Sequence, residues 1–358
     1  MGIGHGKLLL FGEHAVVHGH PAVGIGCTLY TSLCFEADAS LPAAGAAGET
    51  EREAVPIEIA GRNLNVYGIP RSDRESLTAA ISRGLTAVGR DGGIPDEATT
   101  IFVDSTVPRG VGLGSSAALC TAIADALYTP GSGAGPSGAS RLEVLASLAH
   151  EIEHLYHGSP SGVDTALSVY GGIRAFSRGG SDAAADAGTR DDTAASGATP
   201  GPRSRPLLPA GESAATLLYG YVPRSGNTKA LVGRISAALS RGERDAVRRI
   251  AELGRLSEAA IAEIDARKPD AVRLGSLASQ AQEALSALEL STAETDRVLA
   301  AGRRAGARGG KLSGAGGGGA WFLLFDDAEG AERGRAAILE QRPDLPVFTM
   351  PLVPPDQT

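Results

Sequence analysis

The sequence predicts a two-domain α+β protein. One observation is a length of 358 residues with 42% hydrophobic content, more than one small core needs. A second is a Gly/Ser-rich loop between a strand-like stretch and an alanine-rich helix in the N-terminal half. The third is another glycine run that enters a strongly apolar strand in the C-terminal half. A stretch poor in apolar residues lies between the halves. The expected boundaries are 1–180 for an N-terminal domain, 181–210 for a flexible low-complexity insertion and 211–358 for a C-terminal domain.

The elements follow in order. Lys7 to Phe11 is a short apolar run that reads as a buried strand, ended by Gly12-Glu13-His14, and a β-rich stretch continues from Ala22 to Phe35. Residues 39–50 are Ala/Gly-rich and read as loop, Glu75 to Val88 has helical periodicity, and Thr99 to Val103 reads as a strand feeding the first glycine loop. Arg141 to Tyr156 places Leu142, Leu145, Leu148, Ala149, Ile152 and Leu155 on one helical stripe. Residues 157–162 have turn composition, and the chain is apolar again through Tyr170 and Phe176. Ser181 to Arg205 contains no Val, Leu, Ile or aromatic residue and cannot bury a face, so it reads as a mobile insertion. Beyond it Ala214 to Val222 reads as a strand, Thr228 to Arg241 and two later stretches as helices, and Lys311 to Phe325 as a glycine loop leading into a strand.

Composition narrows the function classes. A net charge of −8 argues against a general nucleic-acid or anionic-membrane surface and favours a small-molecule ligand. Cys27, Cys34 and Cys120 have neither metal-site nor redox spacing and read as buried thiols of a reducing compartment. The longest apolar runs, such as Trp321 to Phe325, are far short of a membrane span, and no leader pattern opens the chain, so a cytoplasmic enzyme is expected.

Several motifs carry chemistry. Val107 to Ala118 sets Gly110, Gly112, Gly114, Ser115 and Ser116 before a helix, where free backbone N–H groups and the helix dipole favour an anion, with hydroxyls available to Mg²⁺. The run Gly316 to Gly319 costs conformational entropy just before a strand, which close backbone approach to a ligand explains. Neither Gly6-Lys7 nor Gly310-Lys311 is a Walker A loop, because leucine follows each lysine where Ser or Thr is required. Asp164 follows a tight segment able to hold a carboxylate in a cleft, and Glu153 offers a second carboxylate for a cation, the division of labour that phosphoryl transfer needs. Capping of a helix at Thr165 is the plainer role for Asp164. His150-Glu151-Ile152-Glu153-His154 also satisfies the H-E-x-x-H pattern of zinc proteases, but the metzincin extension fails and no glutamate lies between Glu153 and Glu212.

Three segments together, Gly6-Lys7 through Gly12-Glu13-His14-Ala15-Val16-Val17-His18-Gly19, Gly112 to Ala118, and Lys311 to Gly319, resemble the signature motifs of the GHMP kinase superfamily of galactokinases, homoserine kinases, mevalonate kinases and phosphomevalonate kinases. The Glu-His-Ala-Val-Val-His-Gly form of the first motif is similar to that of the mevalonate kinases, as are His157 to Asp164 and Val222 to Thr228. The resemblance implies a ribosomal-protein-S5-like N-terminal domain and a ferredoxin-like C-terminal domain, with ATP and mevalonate in the cleft between them. It implies ATP-dependent phosphorylation of the mevalonate C5 hydroxyl in isoprenoid biosynthesis, with no nucleic-acid or membrane partner and with a homodimer left open.

Carried over position by position, Asp164 is the expected base and Lys7 the cation that keeps it ionised. ATP falls to Gly112, Leu113, Gly114, Ser115, Ser116 and Ala117 and to Gly314, Ala315 and Gly316; Mg²⁺ falls to Ser116 and Glu153. Mevalonate falls to Glu13, His14, Thr228, Gly317 and Asp164. Departures are Gly4-His5-Gly6-Lys7 in place of the usual Ala-Pro-Gly-Lys, and Trp321 where small residues are common. The alternatives are another kinase of the superfamily such as phosphomevalonate kinase, opposed by His14, a non-catalytic nucleotide-binding protein, opposed by Lys7 with Asp164, and the zinc protease.

Overall fold

The computed structural model describes all residues except 38–53, 90–92, 131–137, 159, 178–202, 208–212, 227, 267–268 and 354–358. The expected loop at 39–50 and most of the expected insertion at 181–210 lie outside the described residues. The chain opens with β1 (Gly2–Phe11), paired antiparallel with the long β2 (Ala22–Glu36). A hairpin of β3 (Val55–Ile59) and β4 (Arg62–Tyr67) leads to α1 (Arg74–Val88) and β5 (Thr100–Ser105). The strand order is β3-β4-β5-β2, continued by β6 (Ile173–Ser177) and β7 (Arg203–Pro206), with β1 also on β2. Only β4 and β5 run parallel within this sheet among the described residues.

Three helices cover one face: α1, α2 (Ser115–Leu127) and α3 (Arg141–His157), whose apolar residues form one core with Leu33, Val55, Ile57, Val66 and Ile101. Helix α2 lies almost against β1. A Cβ on Gly4 would stand 2.1 Å from the Ala118 carbonyl oxygen, and one on Gly2 equally close to that of Ala122. Residues two apart on a strand share a face, so these glycines let the helix that follows the first glycine loop settle on the strand that carries Lys7. Glycine at position 4 thus has a packing reason.

Helix α3 starts at a capping box: the Ser140 hydroxyl accepts from the Glu143 N–H, while the Glu143 carboxylate accepts from the Ser140 N–H at 2.7 Å. Its buried face is Val144, Leu145, Leu148, Ala149, Ile152 and Glu153. Leu142 and Leu155, expected on the buried stripe, are 41% and 46% exposed; in the first and last turns it is instead Val144 and Tyr156 that pack against the core. After a glycine turn, α4 (Val163–Tyr170) leads into β6.

Residues 203–206, expected within a flexible insertion, form an edge strand paired with β6. The strand needs no apolar side chains because backbone hydrogen bonds hold it, and its side chains are largely exposed. Cys27 and Cys120 are buried thiols as expected, but Cys34 is only partly covered.

The second sheet is antiparallel in the order β11-β8-β10-β9: β8 (Thr216–Val222), β9 (Gly309–Leu312), β10 (Gly319–Phe325) and β11 (Val347–Pro351). Five helices accompany it: α5 (Thr228–Ser240), α6 (Arg244–Asp265), α7 (Ala271–Ala287), α8 (Ala293–Arg304) and α9 (Ala328–Gln341). The sequence reading found α5 and two more. Every residue of β10 is buried, which requires both faces to be covered. Phe322 and Leu324 join the α6–α7 side, whereas Trp321, Leu323 and Phe325 join Val298, Leu299, Ala331 and Ile338 of α8 and α9. Trp321 is accommodated by Gly220 on the next strand, where a Cβ would stand 2.8 Å from its ring.

The α6–α7 core is continuous with Leu8, Leu10, Val23 and Ile25 of β1 and β2. The strand carrying Lys7 is therefore packed between α2 and the second half of the chain. No helix among the described residues is long and apolar enough to cross a membrane.

Candidate active site

Lys7 lies near the middle of β1, 6% exposed. Its main-chain N–H donates to the Leu113 carbonyl at 2.9 Å, tying the strand to the first glycine loop. Gly114 caps α2 at φ +80°, and a Cβ there would stand 2.8 Å from Lys7 Cγ. Glycine is needed both for the left-handed backbone and for the lysine stem beneath it. No side chain caps α2, so its first N–H groups remain open to an anion. Leu113 and Ala117 are fully buried, and the Leu113 carbonyl is already taken by Lys7, so neither side chain reaches a ligand.

Asp164 sits in the first turn of α4, whose N-cap is Gly162, so it does not cap that helix. Its Oδ1 is 3.2 Å from Lys7 Nζ, with the carboxylate 38% exposed and the lysine side chain 7%. A nearly buried cation thus backs a carboxylate that opens to solvent.

Glu153 reaches the same place from α3 and is 2% exposed. Burial, and then the charge of Asp164, push its carboxyl up to about 8, against the opposing pull of Lys7 and Thr165. Its Oε2 is buried with no hydrogen-bond partner. Ser116 is the second residue of α2, and its hydroxyl is hydrogen-bonded to His157 Nε2 at 3.0 Å. That nitrogen is also 4.0 Å from Glu153 Oε1. Lys7, Ser116, Glu153 and Asp164, far apart in sequence, therefore share one locus.

The third motif grips the first. The Ser313 hydroxyl donates to the Leu9 carbonyl and accepts from the Leu9 N–H, each at 2.9 Å. Lys311, fully buried, donates to Glu13 and to its neighbour's carbonyl, Leu312, at 2.7 Å. His14, held at φ +59°, donates from Nε2 to the Ala315 carbonyl at 3.1 Å. Glu13 and His14, expected to touch the acceptor, thus spend part of their hydrogen-bonding capacity on the opposite loop; burial lowers the His14 pKa. Gly314 and Gly316 to Gly319 all have positive φ, which explains the cost of that run. The Ala320 N–H donates to the Val111 carbonyl at 2.8 Å, so the second and third motifs are also joined.

Thr228 begins α5, and its hydroxyl accepts from Arg224 at 2.7 Å. The Arg224 guanidinium borders Gly112 and Gly319, and its Nε is buried without a partner. The Ser225 N–H donates to the Gly317 carbonyl at 2.9 Å. Sequence reasoning singled out neither Arg224, Ser313 nor His157 individually. For Ser313 no local pattern marks a partner 304 residues away, and for Arg224 none marks its approach to Gly112 and Gly319; for His157 the spacing of four from Glu153 on a helix was an available signal.

The H-E-x-x-H residues point elsewhere. Glu151 pairs with Arg83, His154 Nδ1 donates to the Gly158 carbonyl at 2.9 Å, and the two histidine rings meet edge-on at 5.0 Å. Among the described residues no group of three His, Cys, Asp or Glu side chains is placed to hold a metal ion.

Comparison with known proteins gives the family and the fold. The model for the GHMP kinases N terminal domain matches residues 76–172, and that for GHMP kinases C terminal matches residues 259–344. A mevalonate kinase of Aeropyrum pernix is 31% identical over 353 residues, covering 94% of this chain and 91% of the relative. One of Thermococcus sibiricus is 28% identical over 344 residues, covering 90% and 88%. The crystal structure of L. major mevalonate kinase in complex with R-mevalonate superposes with a TM-score of 0.72 at 21% identity, covering 99% of this chain and 96% of that one. Methanococcus jannaschii mevalonate kinase follows at 0.67 and 20% identity, covering 97% and 96%. With both halves matched and the likeness running along nearly the whole length, the chain belongs to the GHMP kinase family, among its mevalonate kinases.

Proposed function

We propose that this enzyme transfers the γ-phosphoryl group of ATP to the C5 hydroxyl of mevalonate, giving 5-phosphomevalonate for isoprenoid synthesis in the cytoplasm. The observation that carries the reading is the Lys7–Asp164 pair at 3.2 Å, with the lysine stem against the glycine loop at Gly114. Phosphoryl transfer asks little covalent chemistry of a protein and much positioning and charge stabilisation. The Gly112 to Ala117 backbone cradles the phosphates from one side, and Gly314 to Gly316 approach from the other. Asp164 accepts the hydrogen bond of the C5 hydroxyl and takes its proton, while Lys7 holds the Asp164 carboxylate in place and stabilises the negative charge growing on the attacking oxygen. Mevalonate's carboxylate and hydroxyls meet Glu13, His14 and Thr228; the Thr228 hydroxyl, which accepts from Arg224, keeps its own proton to donate. Gly317, also expected at the acceptor, instead has its N–H on the Leu290 carbonyl at 2.8 Å and its carbonyl on Ser225.

Ser116 and Glu153 fit a magnesium ion. Both offer oxygen, the donor that Mg²⁺ prefers, and Glu153 has a buried oxygen without a partner and a carboxyl that burial holds up to about 8, the condition a cation relieves. When bound, the ion neutralises charge on the β- and γ-phosphate oxygens. An ADP-release assay with mevalonate, phosphomevalonate, galactose and homoserine tests the reading. Turnover with mevalonate is expected; turnover on another acceptor with none on mevalonate overturns it.

A further inference from the structure

His157 is the last residue of α3, one helical turn beyond Glu153, and its Nε2 faces both oxygens assigned to the cation: Ser116 Oγ at 3.0 Å and Glu153 Oε1 at 4.0 Å. We propose that His157 is a positioning residue for the cation of the phosphoryl donor: it accepts the Ser116 hydroxyl proton and so turns the hydroxyl's lone pair toward the metal. The inference rests on the kinase reading above.

The argument is one of hydrogen-bond inventory. A serine hydroxyl carries one proton and two lone pairs. When a lone pair is given to a cation, the proton must point away from it and needs an acceptor. Neutral imidazole supplies one on the nitrogen that lacks hydrogen, so Nε2 serves with the ring proton on Nδ1. A ring that instead donated from Nε2 would occupy the lone pair the cation needs. Direct coordination by the ring is the poorer alternative, because Mg²⁺ selects oxygen over imidazole nitrogen. The fold supports the arrangement from both sides. The capping box at Ser140 and Glu143 fixes where α3 starts, and α2 carries Ser116 in its first turn, against α3. The His157 side chain is 53% exposed, so replacing it removes little packing.

A histidine in the last turn of a helix also interacts with the helix dipole, and a purely structural role of that kind would alter stability without altering metal binding. The test therefore reads metal directly. Mn²⁺ is titrated by electron paramagnetic resonance into full-length protein holding an unreactive imido analogue of ATP, with melting temperature measured alongside. His157→Leu is expected to weaken Mn²⁺ binding about tenfold or more at an unchanged melting temperature. His157→Gln, whose amide oxygen can accept the Ser116 proton, is expected to stay within about threefold of the parent. In a Ser116→Ala background, His157→Leu is expected to cause no further loss. Parent-like Mn²⁺ affinity in His157→Leu, or an equal loss with and without Ser116, overturns the inference and leaves the kinase reading standing. Absence of cation-dependent nucleotide binding in the parent protein overturns both.

Discussion

Glu153→Gln separates what the site costs from what it does. The Glu153 carboxyl is raised from an ordinary 4.5 to about 8, first by burial and then by the charge of Asp164. A raised carboxyl means that the folded protein binds more protons than the unfolded chain between those two values. The sign follows: the penalty is absent below about pH 4.5, where both states are protonated, and grows as pH rises toward 8. At roughly 1.4 kcal/mol per pH unit, holding Glu153 protonated while the unfolded chain ionises costs the nucleotide-free fold about 3 kcal/mol at pH 7 and under about 1 kcal/mol at pH 5. Glutamine has nearly the shape of the protonated acid and no charge to bury. Urea unfolding of the nucleotide-free protein at pH 5, 6, 7 and 8 is the assay. Relative to Glu153→Gln, the parent is expected to lose about 2 to 3 kcal/mol between pH 5 and 7. The variant should also lose Mg²⁺-dependent turnover while gaining stability. Parallel pH profiles for the two proteins would refute the reasoning, because the strain would then not reside in this carboxylate.

Two further outcomes follow from other parts of the site. Asp164→Asn is expected to lower kcat by at least about 10² with ATP binding nearly intact, as for loss of a positioned base; near-normal turnover removes the base role. Lys311→Met strands Glu13, 1% exposed, and is expected to cost about 3 to 5 kcal/mol in urea unfolding, much of it recovered by adding Glu13→Gln; a double variant as unstable as the two single losses combined would show that the pair is not coupled.

Much of this molecule was legible because local chemistry announced it. The glycine loop before α2 could be read from its residues alone, since free N–H groups at a helix start favour an anion whatever surrounds them. The strands β1, β2, β5 and β10 and the helices α1, α3 and α5 showed in period and composition. Edge strand β7 did not, because a strand held by backbone hydrogen bonds leaves no apolar pattern to read. Leu142 and Leu155 misled for the opposite reason: a stripe states which side of a helix is apolar, but not which of its apolar residues the neighbouring elements cover at each turn.

The contacts between motifs were the least legible, and they matter most to how the site is held. Lys7, Glu153 and Asp164 could be named one by one, but nothing in their spacing says that one carboxylate raises the pKa of the other or that a lysine lies between them in effect. The third motif is the sharper case. Its glycines suggested close approach to a ligand, yet the residues around them, Lys311, Ser313 and Ala315, hold Glu13, Leu9 and His14 of the first motif. Gly316, Gly318 and Gly319 pack in turn against the carbonyls of Leu290, Pro223 and Val111, so the glycine run is itself tied into the protein and only Gly314 has open space beside it. The acceptor-side residues and the phosphate-side loop are therefore parts of one rigid unit. A change at Lys311 or Ser313, neither of which need touch a substrate, should register in mevalonate and ATP binding together, whereas a change at Asp164 should register chiefly in the chemical step and leave ATP binding nearly intact.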